Sequence, residues 1–441
     1  MGLDVLTAND RPGAHPPPYY AASATPLDAF APLGADRRAD VCVIGGGYAG
    51  LAAARRLATA GLDVALLDAH RVGWGASGRN GGQVATGQRL EPDDLEAAVG
   101  SDDARRLWDV AERAKRRVVE LCAHGEDGCD LRRGVVDVTE KPRRLDEFRA
   151  YADALRARYD YGGARFLDRE ETRAIVASEA YVGGVLDADA YHLHPLKFAL
   201  GLARAAAAAG AAIFERTRAA RIGEGAPIRV ETDRGVVVAD AVVFAANGYH
   251  GGLERRVADR VLPINNFLIA TEPLGRARAD ALIGDRVAVS DDRYVVNYFR
   301  LSADDRLLFG GRETYRYRFP RDVKSYVRAA MVSVFPQLAD VGVEYGWGGV
   351  LGITMSRMPH VERLRAGVYS LGGYSGPGVA MATGLGEIVA DAVAASLAGK
   401  TAPADFLAQA RAPTPPFPGG YAARLPILQL GMLYYGLRDR L

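Results

Sequence analysis

Ala39-Asp40-Val41-Cys42-Val43-Ile44-Gly45-Gly46-Gly47-Tyr48-Ala49-Gly50 is the stretch whose reading decides the fold. Val41 to Ile44 is a short apolar run, the pattern of a buried strand. It enters a turn, Gly45 to Gly50, that fits G-x-G-x-x-G, and an Ala/Leu/Arg stretch of helical character then runs to Gly61. Each glycine has a mechanical task. Gly45 permits the tight turn, Gly47 lets the backbone approach a pyrophosphate, and Gly50 lets the helix pack closely on the strand. The free N–H groups and positive dipole end of that helix then face the phosphates. With 51 glycines in the chain, the pattern alone is a weak signal. Its context strengthens it: a second strand, Asp63 to Leu67, ends in Asp68, about where a ribose-binding carboxylate is expected.

The rest of the composition sets bounds. At 441 residues the chain can bury a large core and is expected to form two domains. Its 55 basic and 54 acidic residues leave a net charge of +1, which gives no electrostatic case for a nucleic-acid partner. Cys42, Cys122 and Cys129 are too few and too scattered for a disulfide framework, so thiols in a reducing compartment are expected. Met1 to Pro18 is polar and proline-rich, without the basic and apolar regions of a signal peptide. No apolar run reads as reaching the roughly 20 residues that span a bilayer, and the expected location is cytoplasmic.

Further glycine signals lie along the chain. Val72 to Gln83 holds Gly73, Gly75, Gly78, Gly81 and Gly82, mixed with Ser77, Arg79 and Asn80. It reads as a loop whose backbone lies against something flat or charged. Ala241 to Tyr249 is a second apolar strand ending in a small-residue turn, Ala245-Ala246-Asn247-Gly248, suited to closing over a nucleotide. Val368 to Leu371 is a strand entering Gly372-Gly373-Tyr374-Ser375-Gly376-Pro377-Gly378, and a helix follows from Val379 to about Leu397. Two strand–glycine–helix units at opposite ends of one chain suit a long dinucleotide spanning the fold. Residues 261–350 are richer in Tyr, Phe and Arg, with short β-like runs that suit an antiparallel substrate domain. His192 and His194 form an H-x-H pair, but no third ligand or acidic cluster is nearby, so no metal site is expected. Leu425 to Leu441 is an apolar and aromatic tail, read as docking on the core, without stable membrane insertion.

These pieces, in this order, resemble the D-amino-acid oxidase-like FAD flavoprotein superfamily over roughly residues 19–400. The motifs that carry the resemblance are Val41 to Gly50, Gly75 to Gly82, Ala245 to Gly248 and Gly373 to Gly378. Within it the chain is most similar to the gamma-glutamylputrescine oxidoreductase branch. The supporting stretches are Tyr19 to Ala24, Gly75 to Gln83, Ile269 to Pro273, Phe309 to Arg312 and Trp347 to Thr354. The resemblance implies an α/β fold: a glutathione-reductase-like FAD-binding Rossmann domain with a second, antiparallel-sheet substrate domain. The expected boundaries are an extended arm at 1–38, a discontinuous FAD-binding domain at 39–90, 160–260 and 345–410, a substrate domain at 91–159 and 261–344, and a tail at 411–441.

The resemblance also implies roles. Gly45, Gly47, Tyr48, Ala49 and Gly50 hold the FAD pyrophosphate, and Asp68 takes the adenosine ribose where the family usually has Glu. Ser77, Arg79, Asn80 and Gly81 lie by the flavin and its phosphates, and Ala246 belongs to the closing turn. Gly373, Tyr374, Ser375, Gly376, Gly378 and Val379 sit beside the isoalloxazine, with the following helix aimed at it. The cofactor is expected to be non-covalent, since Leu351 stands where related sarcosine oxidases carry a tethering Cys. The implied activity is oxidation of an amine C–N bond, with O2 reduced to H2O2; the rivals are an imino-acid oxidase and a dehydrogenase serving another electron carrier. Tyr294, Tyr298, Trp347 and Tyr374 are candidates for an apolar wall around a neutral amine. Arg300 and Arg312 are candidates to anchor a distal carboxylate. Ala380 replaces the lysine that pairs with an α-carboxylate in sarcosine oxidase-like relatives, which points to a substrate whose carboxylate is remote from the reacting carbon.

Overall fold

A computed structural model describes residues 4–10, 13–16, 18–123, 128–314 and 318–421. The apolar strand Arg37–Ile44 lies at the middle of the first sheet. It pairs in parallel with Val64–Leu67 on one side and Gly235–Phe244 on the other, and Ala212–Phe214 and Val368–Gly372 extend the parallel set outward. The strands are buried on both faces, which is why they read as continuous apolar runs and not as alternation. His360–Arg365 closes one edge antiparallel, while Ala219–Ile222 and Ile228–Thr232 fold back beside Gly235–Phe244.

One face of this sheet carries the helix Tyr48–Thr59, which packs on Gly378–Leu397 and Pro195–Ala208. Contact between the first two is close. A Cβ on Gly386 would lie 2.4 Å from the Ala49 carbonyl oxygen, and on the side facing the helix Ser101–Ala123 one on Gly384 would lie 2.4 Å from the Ala114 Cβ. Gly378–Leu397 is long and apolar enough to cross a membrane, which corrects the expectation that no segment reaches that length. It is apolar nearly all round because it lies inside the fold, between Tyr48–Thr59 and the helix Ser101–Ala123.

The second sheet runs Val343–Ile353, Leu262–Thr271, Leu307–Thr314, Tyr298–Leu301, Ala288–Asp291, Arg132–Thr139, Gly183–His192, Gln83–Val84, with Ala164–Leu167 beside Gly183–His192. It is antiparallel apart from the pairing of Ala288–Asp291 with Arg132–Thr139. The sequence boundaries cut across it. Gln83–Val84, Ala164–Leu167 and Gly183–His192 fall in the expected FAD-binding segments and Val343–Ile353 straddles the expected boundary after residue 344, yet all four pair within the second sheet. Strand character alone does not say which sheet a strand joins, and these four stand at crossings between the two.

The arm is built into the body. Tyr19–Ser23 is a short helix with Tyr19 and Tyr20 buried. Asp10 pairs with Arg79 at 2.6 Å, and the Leu6 carbonyl lies 2.8 Å from His70 Nε2. Residues 422–441, with the tail from Leu425 onward, lie outside the described residues. All three cysteines are free and buried.

Candidate active site

A cavity of about 1220 Å³ runs along the seam of the two sheets. It exceeds the roughly 300–1,000 Å³ of an ordinary small-ligand pocket, so it has room for a dinucleotide and a second molecule. At one end Leu6, Asp68, His70 and Thr217 line it; the glycine turn and the 75–82 loop follow; Tyr374 to Val379 stand further along. The other end is a chamber walled by Arg89, Asp137, Phe148, Tyr151, Ser290 and Tyr294.

The cradle for FAD tests well against the residues present. Gly47 caps Tyr48–Thr59, the Tyr48 amide is taken by Ser77 Oγ, and the Ala49 and Gly50 amides have no hydrogen-bond partner among the described residues and remain open to an anion. A Cβ on Gly47 would lie 2.8 Å from Ser77 Oγ, and Ser77 Oγ itself accepts from the Tyr48 amide at 3.0 Å. Gly45 has φ +112, a conformation that favours glycine, and a Cβ there would meet the Ala245 carbonyl oxygen at 2.8 Å. Gly50 is not a lining residue; a Cβ on it would come within 1.8 Å of the Gly45 carbonyl oxygen, so its task is helix-to-turn packing. Asp68 accepts from the Gly46 and His70 amides, each at 2.7 Å. Burial pushes its carboxyl up to about 6 against those two bonds, with a further push from Glu215.

The 75–82 loop is held from several sides. The Asn80 amide nitrogen donates to the Ala76 and Ser77 carbonyls at 3.0 and 3.2 Å, and its oxygen accepts from the Gly82 amide at 2.7 Å. Arg79 donates to the Trp74 and Gly348 carbonyls, lies over the Trp74 ring, and keeps one buried nitrogen, Nη2, without a partner among the described residues. The Gly373 amide donates to Asn247 Oδ1 at 2.8 Å, which ties the 373–378 loop to the Ala245–Gly248 turn. Tyr374 presents a buried hydroxyl with no hydrogen-bond partner among the described residues, and burial keeps that phenol protonated. The helix Gly378–Leu397 begins there without a side-chain cap.

Of the expected site residues, Gly45, Gly47, Tyr48, Ala49, Asp68, Ser77, Arg79, Asn80, Gly81, Ala246, Tyr374, Ser375, Gly376, Gly378, Val379 and Tyr298 line this one cavity. Gly50 and Gly373 support it from behind. Three others are placed elsewhere. Trp347 is buried, with Nε1 donating to the Arg79 carbonyl at 3.0 Å, so it braces the loop instead of facing the cavity. Arg300 is likewise buried behind the loop, donating to the Gly81 carbonyl at 2.7 Å and the Leu301 carbonyl at 3.3 Å. Arg312 is exposed and lies over the Tyr326 ring. The strand pairing shifts register between Asn266 and Phe267, with Arg312 as the extra residue at φ +68, so its neighbour Glu313 reaches the cavity in its place. Ala380 packs in the core between the lining residues Val379 and Ala382.

His192 and His194 have structural partners. His192 Nε2 bonds the Arg286 carbonyl, and burial pushes its imidazole down to about 3. His194 caps Pro195–Ala208 through Nδ1 and meets Ser23 Oγ through Nε2. Sequence reasoning missed Asn266, which accepts from the Tyr298 hydroxyl, and the chamber residues Arg89, Asp137 and Tyr151. Gln88 to Glu91 follows the glycine loop that ends at Gln83 after four intervening residues, and that closeness was the available signal.

A family profile described as DAO, FAD dependent oxidoreductase, matches residues 40–392. The chain is 42% identical over 423 residues to the probable oxidoreductase OrdL of Rhizobium meliloti (strain 1021), covering 96% of this chain and 97% of that one. It is 38% identical over 428 residues to the gamma-glutamylputrescine oxidoreductase of Escherichia coli (strain K12), covering 97% and 99%. Among solved structures, glycine oxidase from Geobacillus kaustophilus superposes with a TM-score of 0.69 at 20% identity, over 83% of this chain and 99% of that one. That likeness speaks for the fold.

Proposed function

Because the chain belongs to the DAO family of FAD-dependent oxidoreductases, we propose that it oxidises the C–N bond of a primary amine to an imine, with O2 as electron acceptor and H2O2 as product. The imine then hydrolyses to an aldehyde and ammonia. The substrate of this reading is gamma-glutamylputrescine or a close analogue, which the near full-length similarity to the Escherichia coli enzyme of that name supports. The observation that carries it is one continuous cavity whose lining takes in both the dinucleotide cradle and the charged residues Arg89, Asp137 and Arg357.

FAD, when bound, supplies the hydride acceptor. The chain holds it by the open amides at Tyr48–Thr59, the Asp68 carboxylate and the 75–82 and 373–378 loops, without a covalent tether. Leu351 lines the cavity with no nucleophile to offer. The protein's own work is on the amine. A free primary amine titrates near about 10.4, so the reactive neutral form is favoured by moving it out of water. Tyr374, with its unpartnered neutral hydroxyl, offers an oxygen to an amine N–H and so orients the nitrogen. Tyr298, fixed by its bond to Asn266, forms part of the same wall. Anaerobic mixing with gamma-glutamylputrescine tests this. Bleaching of the flavin absorbance is expected, followed by H2O2 release once air is admitted. No bleaching by any amine rejects the reading, and bleaching that air does not reverse identifies a dehydrogenase.

A further inference from the structure

The chamber holds charges that the protein itself leaves unmatched. Arg89 opens onto the cavity, and its guanidinium has no hydrogen-bond or ion-pair partner among the described residues. It lies against the 373–378 loop: a Cβ on Gly376 would sit 3.8 Å from Arg89 Nε. The charge acting on it most strongly is of like sign, Arg357, which also lines the cavity and also has no side-chain partner among the described residues; Asp137 and Glu91 oppose it. Arg357 is held at φ +64 in a turn closed by its amide on the Thr354 carbonyl, a conformation rare for a residue with a side chain. Two guanidiniums facing one chamber repel each other, and an anion between them relieves that repulsion. Their planar forks match a carboxylate.

A carboxylate faces them from the second sheet. Asp137 on Arg132–Thr139 accepts from Ser290 Oγ at 2.5 Å through Oδ1, and its Oδ2 has no partner among the described residues. Asp137 and Arg89 feel each other's charge but form no ion pair, so both keep their polar faces open. Tyr151, from the helix Leu145–Tyr159, brings a hydroxyl with no described partner to the same place, and Phe148 supplies an apolar wall.

We propose that Arg89 and Arg357 bind a carboxylate and Asp137 binds an ammonium, so that the chamber recognises the zwitterionic amino-acid head of the amine substrate. This rests on the amine-oxidation reading and adds to it the site of head-group selection. It replaces Arg300 and Arg312, whose guanidiniums lie outside the cavity, as the carboxylate anchor.

The test uses the FAD-loaded protein and three variants, Arg89→Met, Arg89→Lys and Asp137→Asn. The first readout is kcat/KM for gamma-glutamylputrescine divided by that for putrescine, which lacks the head. Arg89→Met is expected to lower this ratio tenfold or more, Arg89→Lys to restore part of it, and Asp137→Asn to lower it several-fold. The second readout needs no turnover: calorimetric binding of L-glutamine, which has the zwitterionic head and an uncharged side chain. Binding to the parent protein, weakened at least tenfold by Arg89→Met, supports the subsite even if no amine is oxidised, in which case the activity reading alone fails. Equal loss of kcat/KM on both amines, or L-glutamine binding that Arg89→Met leaves unchanged, overturns the proposal. An altered flavin spectrum in Arg89→Met without any amine places Arg89 on the cofactor and overturns it too.

Discussion

Asp68 is a residue whose environment sets a pH dependence. Burial raises its carboxyl to about 6, so the folded apoprotein favours the protonated form. That contribution to stability is complete below the ordinary value of about 3.9 and is lost as the pH climbs through about 6. Ribose hydroxyls donate to the carboxylate, so FAD retention runs the other way: it should hold above pH 6 and fall as the pH drops through that value. Measuring Kd for FAD from pH 7.5 to 5 checks this, and a flat profile would contradict it. At Gly47, a Val side chain would press on Ser77 Oγ and occupy the space of the pyrophosphate. Gly47→Val should therefore purify nearly free of flavin, and wild-type flavin content in it would sink the cradle assignment. These residues were legible in the sequence because their role is backbone geometry written into a local pattern. Arg89 and Asp137 were not, because their relation exists only once Gln88–Glu91 and the strand Arg132–Thr139 meet across the cavity.

Elements explain the misplaced residues. Tyr298 and Arg300 stand two apart on one strand, so alternation puts them on the same face. The 75–82 loop crosses that face, which leaves Tyr298 in the cavity and Arg300 behind the loop, bonded to the Gly81 carbonyl. The same holds for Val343–Ile353, where Gly349 and Leu351 line the cavity and Trp347 lies behind Arg79. Sequence period gives the face of a strand but not what lies across it. Trp347→Phe removes the donor to the Arg79 carbonyl, a loss of about 1–3 kcal/mol that should appear as weaker FAD binding and a lower Tm. Wild-type values of both would refute the bracing role. The helix pair Tyr48–Thr59 and Gly378–Leu397 has its own test. Gly386→Ala pushes a methyl into the Ala49 carbonyl and should cost about 1–3 kcal/mol, lowering Tm and flavin content together. An unchanged Tm would mean the two helices separate freely.

At the scale of the whole molecule, two sheets enclose one cavity, with the cofactor cradle mainly on the first and much of the chamber on the second. The two-part α/β plan was legible because each glycine unit carries its own strand and helix. The assignment of crossing strands was not, since Gly183–His192 and Val343–Ile353 carry no local mark of their sheet. With Leu351 in the lining and no nucleophile there, acid precipitation should release the yellow colour into the supernatant, and a yellow pellet would refute non-covalent binding. The central claim is that this cavity oxidises an amine carrying a distant amino-acid head. It is tested most directly by kcat/KM for gamma-glutamylputrescine, putrescine, pipecolate and sarcosine, read as H2O2 release. Gamma-glutamylputrescine should exceed pipecolate and sarcosine by at least tenfold; pipecolate or sarcosine ahead by tenfold would contradict the account.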